Sequence, residues 1–188
     1  MKKRTTCLVA SVLSLSMMLG CTYSSLLSPY KAATDERPAG AYLDDTIIKE
    51  KIEAKILKDK QTRKIFMGTS VSVHRGRAVM VGKIPNKTVG KKAIQIARST
   101  KGVSKVNAYF LPKGSKSTTA ADTKIAAKIK GRFLSDIDLK GFQVEVSVVH
   151  GHAVLAGLVE NKFSKKRCLE HASRVKGVVK VVDFIQVK

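Results

Sequence analysis

The stretch Val144-Glu145-Val146-Ser147-Val148-Val149-His150-Gly151-His152-Ala153-Val154-Leu155-Ala156-Gly157 decides the fold. Val144, Val146 and Val148 alternate with other side chains, the period of two that a strand produces. Gly151 supplies a turn position and Ala153-Val154-Leu155-Ala156 returns as a second strand, so the run reads as a β-hairpin. The run Val71-Ser72-Val73-His74-Arg75-Gly76-Arg77-Ala78-Val79-Met80-Val81-Gly82 repeats it. Val71/Val146, Val73/Val148, Gly76/Gly151, Ala78/Ala153, Val79/Val154 and Gly82/Gly157 coincide at one offset, 146 − 71 = 75. That is an internal duplication, and it divides the chain into two domains.

Working outward from each hairpin, the flanking segments also repeat. Asp45 reads as the cap of a helix from Thr46 to about Lys58, with Ile48, Ile52 and Ile56 as its apolar stripe and Leu57 beside them. Thr88 to Lys101 reads as a second helix, with Ile94 and Ala97 inward and Gly102 as its stop. Val103 to Leu111 is a third strand, closed by Pro112. After the polar linker from Lys113 to Thr119, Asp122 repeats the cap and Ile125, Ile129 and Phe133 repeat the stripe. Lys162 to Lys176 is the second helix of that copy, with Leu169, Ala172 and Val175 inward; Gly177 ends it and Val178 to Val187 is the last strand. Each copy is αββαβ. Ile48, Ile52, Val73 and Val79, with Ile125, Ile129, Val148 and Val154, are the expected core, and Gly76 and Gly151 are expected at positive φ.

In 188 residues, 36 Lys and Arg face 14 Asp and Glu, a formal net charge of +22. Such a surface attracts polyanions, either nucleic acid or an anionic membrane. The N-terminus favours the membrane. Lys2, Lys3 and Arg4 precede an apolar run from Leu8 to Leu19, too short for the roughly 20 residues that span a bilayer and shaped like a secretory signal. Its removal leaves 33 − 14 = +19 and two cysteines, Cys21 and Cys168. From Thr22 to about Asp44 the chain is polar and broken by Pro29, Pro38 and Gly40, a tether.

Three features together carry a resemblance. Both copies hold V-x-V-x-x-G-x-A-V-x-x-G and a later K-G-V-x-K-V; Leu19-Gly20-Cys21 resembles a bacterial lipobox; and Lys31-Ala32-Ala33-Thr34-Asp35 precedes the first copy. The chain resembles the dual BON-domain outer-membrane lipoproteins of Gram-negative bacteria, over nearly its whole length. The resemblance implies an α+β fold, two tandem BON domains, each with two helices packed on a three-stranded mixed sheet. It implies a signal peptide over 1–20, a lipidated N-terminus and tether over 21–43, domains over 44–112 and 122–188, and a linker over 113–121. It further implies acylation at Cys21, sorting by Thr22 to the periplasmic face of the outer membrane, and a non-enzymatic role in envelope integrity. The expected ligand is anionic phospholipid such as phosphatidylglycerol or cardiolipin, bound by the second domain through its first helix. The alternative is an envelope adaptor for outer-membrane assembly proteins, peptidoglycan or its remodelling proteins.

That helix is distinct in its own residues. Lys124, Lys128 and Arg132 stand at i, i+4 and i+8, with Lys130 beside them, and no acid intervenes between Asp122 and Asp136. The first-copy helix carries Glu50 and Glu53 instead. With Ile125 and Ile129, these four cations form the candidate lipid site, where long basic stems lie on lipid and their charges among headgroups. Related second domains present an aromatic near the start of this helix, a place held here by Lys124 and Ile125. Further clusters at Lys91-Lys92 and Lys165-Lys166-Arg167 have no assigned partner. His150, His152, Cys168 and His171 could supply zinc ligands, but two flank a turn and Cys168 replaces Ala93 of the first copy, so no metal and no other cofactor is expected. No nucleophile–base set or phosphate loop occurs, which argues against an enzyme. Nucleic acid is not an expected partner, because the signal exports the chain and aromatics make up only 5% of it.

Overall fold

The computed structural model describes residues 39–114, 118–139 and 143–188, with side chains from Asp44 onward. The expected signal peptide, Cys21 and the tether as far as residue 38 lie outside the described residues. Helix α1 (Ala39–Lys58) leads through a 3-10 segment (Arg63–Gly68) to β1 (Thr69–His74), β2 (Arg77–Ile84), α2 (Lys87–Arg98) and β3 (Lys105–Pro112). The second copy runs α3 (Thr119–Ser135), a 3-10 turn (Ile137–Leu139), β4 (Gln143–Val149), β5 (His152–Val159), α4 (Lys162–Ser173) and β6 (Lys180–Val187). In each sheet the hairpin is antiparallel, Val73 facing Ala78 and Val148 facing Ala153, and the third strand adds in parallel. The result is an α+β fold of two αββαβ domains, each sheet mixed and three-stranded.

One face of each sheet takes the helices. Ile48, Ile52 and Ile56 of α1 and Ala93 and Ala97 of α2 close on Val71, Val73, Ala78 and Met80. Ile125, Ile129 and Phe133 of α3 and Cys168 and Ala172 of α4 close on Val146, Ala153, Leu155 and Ile185. Each isoleucine so buried contributes about 1.5–3 kcal/mol. Three positions expected inward are only partly buried, Val148, Leu169 and Ile94, whose neighbour Ala93 takes the inward place on α2, and Leu57 is exposed.

Val79 and Val154 are buried too, but not under helices. They point to the opposite faces of their sheets and meet there with Val81, Val149 and Ala156, flanked by Tyr109, Leu111, Val182 and Phe184. The two sheets therefore pack face to face, with the helices outside. The Ser70 and Ser147 hydroxyls bond across the contact at 2.8 Å, and the Tyr109 hydroxyl meets His152 Nδ1 at 2.6 Å. Strands buried on both faces read as continuous apolar runs. Ala78-Val79-Met80-Val81 and Ala153-Val154-Leu155-Ala156 have that pattern.

The helix starts differ from expectation. α1 begins at Ala39 and α3 at Thr119, so Asp45 and Asp122 lie inside helices and cap neither. Each carboxylate instead reaches a hairpin turn. Asp45 accepts from the amides of Arg75 at 2.8 Å and Gly76 at 2.9 Å; Asp122 accepts from His150 at 3.1 Å and Gly151 at 2.9 Å. Both turn residues have positive φ, 51° and 72° at Arg75-Gly76 and 49° and 74° at His150-Gly151, as a two-residue type I′ hairpin requires. Glycine adopts this freely, whereas Arg75 and His150 pay about 1–2 kcal/mol for a left-handed backbone. The clamp carboxylate offsets that strain by satisfying both turn amides. The second helices also end early, at Arg98 and Ser173, so Gly102 and Gly177 lie beyond their caps Ser99 and Arg174.

Candidate lipid-facing surface

The four cations of α3 all reach solvent: Lys124, Lys128, Lys130 and Arg132 are exposed. Ile125 and Ile129 are not. Their side chains are 8% and 0% exposed and belong to the domain core, so no lipid can touch them without unfolding the helix from its sheet. This corrects the expectation that they share the site. The apolar stripe serves the core alone, because Ile125 and Ile129 sit at the same helical phase as Phe133, under the helix rather than beside it.

The one acid of α3 also faces inward. Asp122 is buried in its turn clamp, where Thr118 Oγ1 donates to it at 2.6 Å and Lys83 Nζ of the first domain lies 3.5 Å away. Burial pushes its carboxyl up, but the Thr118 hydroxyl, the Gly151 and His150 amides and Lys83 outweigh that and hold it below the usual carboxylate range. Lys83 Nζ also donates to Thr118 Oγ1 at 2.8 Å, so the network ties the two domains. With Asp122 turned inside, the solvent face of α3 carries four positive charges and no negative one.

At the C-terminal end of α3 stands an ion cluster. Asp136, its side chain 3% exposed, receives Arg167 Nε at 2.8 Å and Nη2 at 2.6 Å, and His171 Nε2 donates to it at 2.5 Å. Burial opposes its ionisation, yet His171, Arg167 and the Asp138 amide win and keep it below the usual range. Asp136 in turn raises the Arg167 pKa against the pull of burial, with Asp138 and Glu170 adding to it. Around this cluster are large apolar side chains left outside the core: Leu134 is 55% exposed, Ile137 69% and Phe163 59%. Sequence reasoning missed all three, although each falls off the buried stripe of its helix.

The other sequence candidates are dispersed. His150 Nδ1 faces Thr118, His152 pairs with Tyr109, and His171 serves Asp136. Cys168 is buried, and burial pushes its thiol up to about 12. Among the described residues no group of His, Cys, Asp and Glu could hold a metal ion. No helix among them is long and apolar enough to cross a membrane. Of the basic clusters, Lys92 lies 4.0 Å from Asp59, Lys165 bonds Asp183 at 2.8 Å, and Lys91 and Lys166 are exposed.

Residues 44–110 and 121–188 each match the BON domain. The chain belongs to the BON-domain family. Over 158 residues it is 28% identical to the outer membrane lipoprotein DolP of Haemophilus influenzae, covering 83% of this chain and 81% of that one. It is 25% identical over 158 residues to a 21 kDa hemolysin of Actinobacillus pleuropneumoniae, covering 81% and 80%. Among solved structures it is similar to the C-terminal domain of CdsD, a structural protein of the type III secretion system of Chlamydia trachomatis. There the TM-score is 0.30 and the identity 17%, over 77% of this chain and 67% of that one. In both BON domains of the present chain the turn clamp is kept, while the outer faces of the first helices diverge.

Proposed function

We propose that this chain is a non-enzymatic outer-membrane lipoprotein, anchored through Cys21 and facing the periplasm, that binds anionic phospholipid through its second BON domain and supports envelope integrity. The observation that carries the lipid reading is the α3 face: four exposed cations with its single carboxylate consumed inside. Near an anionic surface each Lys or Arg contributes about 1 kcal/mol, so four add a few kcal/mol to a chain already tethered. Exposed Leu134 gives this face an apolar contact that the buried isoleucines cannot. The likeness to an outer membrane lipoprotein over most of both chains supports the location, and the Leu19-Gly20-Cys21 run supports the anchor.

The test is co-sedimentation of the chain from Thr22 onward with vesicles containing phosphatidylglycerol or cardiolipin. Binding should be absent with neutral vesicles and weaken steeply with salt, since exposed charges are screened within about 8–10 Å. Lys128→Glu with Arg132→Glu should remove most of it. Lys51→Glu with Lys55→Glu on α1, where Glu50 and Glu53 already dilute the charge, should leave most of it. Equal losses from both pairs would assign binding to net charge alone. For the anchor, Cys21→Ala should release the protein from the membrane fraction, and unchanged fractionation would refute acylation there.

A further inference from the structure

We propose that Phe163, at the start of α4, is the aromatic wedge of the lipid surface, with Ile137 beside it, so that domain 2 meets the bilayer along the edge joining α3 to α4. This rests on the phospholipid reading above and names the residues that would enter the bilayer. Phe163 and Ile137 are 59% and 69% exposed, and both border Arg167, one through its ring and the other between Asp136 and Asp138. The duplication supplies an internal control. The counterparts are Thr88 (163 − 75) and Lys60 (137 − 77), so at both positions the second domain is apolar where the first is polar. Leu134 differs in kind, because its counterpart Leu57 is exposed as well.

The edge is held in place. The Arg167 guanidinium lies 5.6 Å over the Phe163 ring and is bonded to Asp136, with Asp138 3.6 Å away. Asp136 and Asp138 flank Ile137, so one cation fixes the ring of α4 against the turn that carries Ile137. It also offsets part of the negative charge of the two carboxylates that would otherwise repel an anionic surface. Exposed Lys162 and Lys166 flank Phe163, although Lys166 is shared with Glu170 at 3.9 Å. An aromatic ring between lysines suits the headgroup boundary, where ring and stems take the apolar side and the ammoniums stay in water. An anionic membrane is favoured over a protein partner because exposed lysines border the ring along α4, Lys162 one residue before Phe163 and Lys166 three after it.

The chain contains no tryptophan, so Phe163→Trp installs a single reporter. With the chain from Thr22 onward, its emission should shift to the blue on phosphatidylglycerol or cardiolipin vesicles and be quenched by lipids brominated high on the acyl chain. Thr88→Trp should do neither. Phe163→Ser should weaken vesicle binding roughly tenfold, the loss expected for an inserted ring, while leaving the thermal midpoint unchanged. If the Phe163→Trp protein sediments with anionic vesicles but its indole emission is neither shifted nor quenched, this edge is not the contact, and the phospholipid reading survives without it. If the unmodified chain fails to sediment at all, the phospholipid reading falls and this inference with it. A blue shift on concentrating the protein without lipid would give the surface to a second copy and overturn the proposal.

Discussion

The two domains share a plan and differ in how they use charge. From Asp44 to Lys58, α1 holds Lys49, Lys51, Lys55 and Lys58 against Asp44, Asp45, Glu50 and Glu53, a balance of zero. α3 holds four cations against Asp122, a balance of +3, and hides that acid. Glu53 is part-buried, and burial raises its carboxyl above the ordinary value, whereas nothing on α3 plays that role. The same divergence recurs at the helix ends. Lys92 stands 4.0 Å from Asp59 in the first domain; Arg167 and His171 converge on Asp136 in the second. A duplicated fold has thus kept the contacts that define it and changed those on its outer surface. The first domain is the more basic by count, 16 against 5 over 44–112 versus 13 against 7 over 122–188, so the proposed lipid surface rests on the segregation of charge and not on its total.

The largest expected effect tests what the domains share. Asp122→Ala strips two turn amides, the Thr118 hydroxyl and Lys83 of their common acceptor, and Asp45→Ala strips two turn amides. An unsatisfied buried donor costs about 1–3 kcal/mol, so both variants should lower stability, by about 2 kcal/mol for Asp45→Ala and about 3 for Asp122→Ala. Urea unfolding followed by circular dichroism measures this. If Asp45→Ala is neutral, the clamp is incidental and the I′ turn holds itself. If Asp122→Ala costs no more than Asp45→Ala, the contacts of Asp122 with Lys83 and Thr118 add nothing to the joint between the domains.

A smaller effect separates the helix ends by pH. Asp136 is depressed in the folded state by His171, Arg167 and the Asp138 amide against the pull of burial. A carboxyl bound less readily by protons when folded contributes stability above its unfolded pKa of about 3.9. That contribution is lost as pH falls through the lower folded value. Stability should therefore drop as pH descends below about 4, and Asp136→Asn should flatten that drop while lowering stability at pH 7. Asp122 titrates in the same window, so the flattening should be partial. An unchanged acid limb in Asp136→Asn would show that the cluster is not coupled to folding.

Which of these features could be read in the sequence follows from their range. The hairpins were legible because strand period and turn glycine are local, and duplication confirmed them at one offset. The clamp was not. An aspartate near a helix start reads equally as a cap, and its true partner lies about thirty residues on, 76 − 45 = 31 and 151 − 122 = 29. The face-to-face contact of the sheets left a trace in the unbroken runs at Ala78 and Ala153, which a reading for alternation passes over. On α3 the exposed cations were legible as a stripe, but Ile125 and Ile129 could not serve core and lipid together. Only burial decides which, and burial depends on the other helix. Phe163 lies off the inward stripe of Leu169, Ala172 and Val175, so its exposure could have been read from the spacing, whereas nothing local says what would cover it.

The smallest expected effect concerns Cys168, where the second domain departs from Ala93 of the first; both side chains are 0% exposed. Desolvation pushes the Cys168 thiol up to about 12, with Asp136 and Asp183 adding to it. At pH 8 such a thiol is ionised in roughly one molecule in ten thousand, whereas an unfolded cysteine near 8.5 is about a quarter ionised. Alkylation of the native chain from Thr22 onward should therefore be slow and should accelerate in urea along the unfolding transition. The fold prefers the protonated thiol, so stability falls as pH rises above about 8.5, where only the unfolded state ionises. Cys168→Ala copies the first domain and should cost no more than about 1 kcal/mol at pH 7, since the helix–sheet contact already accepts alanine at this position. It should also remove the alkaline loss. A large cost at pH 7 would mean that α4 packs on its sheet in a way α2 does not, and the likeness of the two helix–sheet contacts would fail where it looks strongest.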